Sequence, residues 1–174
     1  MRNTAFILLG VGLLVLQSNL FWLLSNAPLS GITPNLVLPV VVYMGVNEVP
    51  LARGAALCFV LGYLIDLFCS APVGLYTFIS VATFVVTHFA GVRLAAQTWV
   101  TRVGLVFGFA LVEGLLVVVL TGIFAADATR ARWLARLVVP HAVSTALFAP
   151  VVYRLSEWVG AATANATKPG EVVK

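Results

Sequence analysis

Apolar residues run along this chain in long blocks, separated by short clusters of proline, glycine, asparagine and arginine. Six blocks result, at residues 5–24, 34–47, 51–68, 74–92, 103–124 and 137–158. A helix needs about 20 apolar residues to cross the roughly 30 Å hydrocarbon core of a bilayer. Five blocks approach or reach that length. The pattern therefore predicts an all-α polytopic integral membrane protein, a single domain over residues 1–158 with six transmembrane helices, followed by a polar, disordered tail at 159–174.

The second block is the exception. Thr33 followed by Pro34 reads as a helix start, a hydroxyl cap with proline in the first turn. A helix over 34–47 would rise only about 21 Å, and Pro39 is expected to interrupt it by removing a backbone donor. Such a segment is tolerable at membrane depth only where neighbouring helices or water satisfy the freed groups.

Composition narrows the class. The chain has 174 residues, 61% hydrophobic and 9% charged, with a mean hydropathy of +1.08. Soluble domains carry about 25% charged residues, so lipid is the expected solvent. The first block is longer than the 7–15 residues of a signal-peptide core, and Pro28 follows its one small-residue site, so it reads as a retained span.

Ten basic residues give a net charge of +4, yet they lie between the blocks rather than on one face, which argues against nucleic acid. With a cytoplasmic N-terminus, Arg2, Arg53, Arg93, Arg102, Arg154, Lys168 and Lys174 fall inside. Arg130, Arg132 and Arg136 fall outside. That distribution obeys the positive-inside rule and places both termini in the cytoplasm. Residues 127–136 read either as an interfacial arm or as a solvated loop anchored by Trp133.

Polar residues inside the blocks cost roughly 2.5–3.5 kcal/mol each when charged, so each needs a reason. Only Arg53 and Asp66 are charged in the third block. Asp66 ends a ladder of Gly54, Cys58 and Gly62, four residues apart, and precedes a turn containing Pro72 and Gly74. It is expected to accept hydrogen bonds from that turn or from the start of the fourth helix; an ion or proton site is the competing reading. Thr77, Ser80, Thr83 and Thr87 form a hydroxyl face on the fourth helix, suited to packing or to lining a cavity. Glu113 lies mid-helix in the fifth block and is expected to be neutral and to pair with His88 at similar depth. Gly104 and Gly108 form a GxxxG roughly 140° away around the same helix. Pro140 is expected in the first turn of the sixth helix, with His141 near enough to meet Asp66. Cys58 and Cys69 are about 16 Å apart along a helix, too far for a disulfide. No serine elbow, HExxH pair or phosphate loop is present in the sequence.

Thr33 to Leu36 (TPNL) and Leu61 to Phe78 (LGYLIDLFCSAPVGLYTF) together carry a resemblance. Pro34, Asn35, Leu36, Gly62, Asp66, Pro72, Gly74 and Leu75 resemble the pattern of the MreD family of bacterial rod-shape proteins, with Asn35 where aspartate is common. The resemblance implies a non-enzymatic protein of the inner membrane without a cofactor. It implies MreC as the direct partner, and association with the MreB filament and with RodA and its penicillin-binding transpeptidase partner in peptidoglycan synthesis. It also implies a bundle similar to the substrate-binding subunits of energy-coupling-factor transporters, which makes a small-molecule-binding or transport subunit the alternative.

Overall fold

The structure is a computed structural model and describes residues 2–25, 34–47, 50–68, 74–89, 98–124 and 128–165. Those residues are helical apart from short connections, with no strand among them. Six helices follow in order: α1 (Arg2–Ser25), α2 (Leu38–Val46), α3 (Leu51–Phe68), α4 (Leu75–Phe89), α5 (Trp99–Phe124) and α6 (Ala128–Asn165).

Leu51–Phe68, Trp99–Ile123 and Trp133–Thr163 are long and apolar enough to cross a membrane. Thr4–Leu20 and Leu75–Phe89 are apolar but shorter. The outward faces are as greasy as the interior: Leu8, Phe59, Phe78, Phe89, Val100, Leu115, Leu147 and Val151 are all exposed. Apolar patches of that extent mark a surface that meets lipid or another protein rather than water.

α2 is the pillar of the bundle. It has only nine residues, a rise of about 13 Å, and Leu38, Val40, Val41, Val42 and Met44 are all buried. On one side Val40, Val41 and Met44 join a core with Phe6, Leu13 and Leu14 of α1, Leu57, Cys58 and Leu61 of α3, and Phe84 of α4. On the other, Leu38 and Val42 pack with Val106 and Ala110 of α5 and Ala142, Ala149 and Tyr153 of α6. A helix too short for the bilayer is thus enclosed by protein, where neighbouring side chains can complete its hydrogen bonds.

Two sequence expectations about α2 are corrected. The helix starts at Leu38, not at Pro34, and residues 34–37 are non-helical and buried. Pro39 does not interrupt the helix; it occupies the first turn, where its missing N–H has no intrahelical partner to lose.

α6 is corrected as well. It is one continuous helix of 38 residues, so part of the segment 127–136 and the first residues of the expected tail are helical. Pro140 and Pro150 lie inside the helix rather than at its start. At about 57 Å, α6 is far longer than a hydrocarbon core is thick. α5 begins at Trp99, four residues before the expected start.

α3 and α4 pack as one pair, α5 and α6 as another, and α2 touches both. In lipid such packing gains little from hydrophobic exclusion, because the tails are as apolar as leucine; close contact and hydrogen bonds must supply the specificity.

Candidate functional site

The polar residues inside the bundle gather at two places. The first is the α3–α4 hairpin. Asp66 is 3% exposed and accepts four hydrogen bonds. Its Oδ2 takes the backbone N–H of Gly74 at 3.0 Å, that of Thr77 at 3.0 Å and the Thr77 hydroxyl at 2.6 Å. Its Oδ1 takes the N–H of Tyr76 at 2.9 Å.

These donors belong to the opening turn of α4, whose first N–H groups have no partner within their own helix. A carboxylate there both satisfies them and complements the positive helix terminus. Gly74 adopts a φ of +98°, a conformation that favours glycine. One turn back, Gly62 lets the two helices close: a Cβ there would lie 2.6 Å from the Thr77 Cα and 2.8 Å from the Tyr76 carbonyl oxygen. Pro72 lies outside the described residues.

The second place is the N-terminus of α2. The Asn35 backbone N–H donates to the Thr145 hydroxyl of α6 at 3.0 Å. Its side-chain Nδ2 donates to Oε1 of Glu113 on α5 at 2.6 Å. Its Oδ1 accepts the N–H groups of Val37 and Leu38 at 3.0 and 3.3 Å. The next residue, Leu36, donates its N–H to the Gln17 side chain of α1 at 3.1 Å. One non-helical dipeptide therefore ties α1, α2, α5 and α6 together. Pro34, buried beside it, contributes no N–H that would need a partner.

Asparagine suits this position chemically. It offers a donor to Glu113 and an acceptor to the helix start at once, which an ionised carboxylate cannot do.

The expected Glu113–His88 pair does not form. His88 stacks on Phe84, with ring centroids 5.7 Å apart, and meets Phe89 edge-on at 5.6 Å; its buried Nδ1 has no hydrogen-bond partner. Glu113 instead faces Asn35 and shares a pocket wall with His141. α2 packs against both the α3–α4 pair and the α5–α6 pair, and the Glu113 carboxyl is directed at the residues before it.

Glu113 and His141 also border a pocket of ≈250 Å³, which Tyr76, Trp133, Leu134 and Val138 help to line. Glu113 is 2% exposed, and its Oε2 has no hydrogen-bond partner among the described residues. Sequence reasoning found the carboxylate but missed the pocket, whose walls are otherwise ordinary apolar residues.

The hydroxyl face of α4 is occupied by packing. Thr77 bonds Asp66, and the Thr87 hydroxyl donates to the Thr83 carbonyl at 2.6 Å. Gly45 of α2 comes so near that a Cβ would lie 2.8 Å from the Thr87 Cβ. Gly104 and Gly108 are the reverse case: both are exposed, and a Cβ on either would meet nothing within 4 Å. No group of three or more potential metal ligands occurs among the described residues.

Comparisons of the chain with protein-family models, with curated proteins and with solved structures return no match.

Proposed function

We propose that this chain is a non-enzymatic scaffold of the bacterial inner membrane, a six-span bundle of the MreD kind that positions the proteins of cell elongation. In this reading α2, with the non-helical stretch before it, completes the sixth crossing, and both termini are cytoplasmic. The partner that docks directly is an MreC-type single-span protein. The MreB filament, RodA and its penicillin-binding transpeptidase partner join through the assembled complex.

The observation that carries the reading is how the interior polar groups are used. Asp66 and Asn35 are both taken up in joining one helix to another, while Gly104 and Gly108 of α5 are left open on the outside. Small residues at that spacing allow a foreign helix to approach closely. Single cysteines placed at Gly104 and Gly108 in a cysteine-free background test it. Crosslinks to the transmembrane helix of an MreC partner in membranes are expected from both; crosslinks only from other faces of the bundle contradict the reading.

A second reading, a small-molecule-binding subunit, is favoured by one observation, the pocket at Glu113 and His141. Its volume is below the roughly 300–1,000 Å³ of pockets for drug-sized ligands. Leu134→Trp, which fills the pocket from its half-buried wall, separates the two: the scaffold keeps its partner, whereas a binding subunit loses its ligand.

A further inference from the structure

The start of α5 and the strip of α6 beside it carry charges that neither polar junction uses. Trp99 is the first residue of α5. The Arg102 guanidinium lies 5.7 Å from the Trp99 ring and 5.8 Å from that of Tyr153, and it is paired with Glu157. Arg154 also lies over Trp99, at 5.6 Å. It is exposed, and no carboxylate pairs with it among the described residues.

Between them opens a pocket of ≈390 Å³ lined by Trp99, Pro150, Val151 and Arg154. Its two ends differ in chemistry. At one end Glu157 neutralises Arg102, leaving the Arg154 charge held against an aromatic face, next to a helix N-terminus with its own partial positive charge. At the other end Pro150 and Val151 form the wall, and Val151 is 56% exposed. Tryptophan at a helix end marks the level of the lipid headgroups, so the charged end faces headgroups and the apolar end faces acyl chains. A free anion would match only the first. An amphiphile with an anionic phosphate and a hydrocarbon tail matches both.

We propose that this pocket binds the phosphate of an anionic phospholipid through Arg154, with an acyl chain laid along Val151 and Pro150. Basic pockets between helices at a membrane face recognise such headgroups.

Native mass spectrometry of the full chain in detergent, titrated with phosphatidylglycerol and phosphatidylcholine, tests it. The unmodified protein is expected to prefer phosphatidylglycerol, and Arg154→Gln to lower that preference about fivefold, the value of one basic contact at a charged surface. Arg136→Gln removes an exposed charge elsewhere on α6 and is expected to change nothing. The proposal is overturned by an unchanged preference in Arg154→Gln, by an equal loss in Arg136→Gln, or by displacement of the lipid with millimolar inorganic phosphate.

Discussion

Asn35 and Glu113, 78 residues apart in the chain, meet at 2.6 Å inside the bundle, the asparagine amide donating to the carboxyl oxygen. The contact holds the start of a nine-residue helix against the middle of a 26-residue one. A helix that begins inside a membrane exposes N–H groups that lipid cannot satisfy. Here the Asn35 side chain, Gln17 and Thr145 take up that role.

Asn35→Asp should therefore be more harmful than its size suggests. It keeps the acceptor for Val37 and Leu38, removes the donor to Glu113 and sets two carboxyl groups face to face. A loss of about 1–3 kcal/mol in stability is expected, the cost of leaving a buried polar group without its partner. Thermal unfolding in detergent measures it. Adding Glu113→Gln to Asn35→Asp supplies a donor opposite the new carboxylate and should recover part of the loss.

Gly62→Ala should open the α3–α4 hairpin, since its Cβ would collide with the backbone of α4 rather than with a movable side chain. Overpacking of this kind costs about 1–3 kcal/mol. Asp66→Ala removes the acceptor of four hydrogen bonds and should act in the same direction. Gly74→Val meets no steric obstacle but forces a branched side chain into a positive φ, at a cost of order 1–3 kcal/mol. All three should lower the unfolding temperature and, under the proposed function, recovery of a complex with an MreC-type partner; normal recovery from the Asp66→Ala and Gly74→Val proteins would count against a structural role.

Gly104→Leu and Gly108→Leu make the opposite prediction. Both positions face outward with free space, so stability should stay within the roughly 0.5 kcal/mol typical of surface substitutions. Partner capture should fall sharply, since a bulky side chain blocks close helix approach. Co-purification alongside thermal unfolding separates the two effects.

The parts of this architecture that were legible in the sequence are those whose cause is local. α3 runs over Leu51–Phe68, the stretch between Pro50 and the turn. Asp66 drew notice because a carboxylate stood before proline and glycine in an apolar run, and its donors lie only 8 to 11 residues ahead. The start of α2 is capped locally, by the Asn35 side chain on Val37 and Leu38, but what holds Asn35 and Leu36 out of the helix is distant: their other partners lie 19, 78 and 110 positions away. The partner of Glu113, Asn35, is hidden in the sequence for a related reason. Helix register reveals depth, but only the packing order of the helices reveals direction. Pro140 has the local signature of a helix start, yet α6 runs through it; a long helix packed against α5 can carry a proline that an isolated one could not.

If interior polar groups serve to join helices, Asn35 and Glu113 must be energetically coupled. A double-mutant cycle with Asn35→Ala and Glu113→Ala, read by reversible unfolding in mixed micelles, measures this directly. The predicted coupling is about 0.6–2 kcal/mol, the range for hydrogen bonds between membrane helices. Strictly additive losses, with each single variant stable on its own, would contradict it.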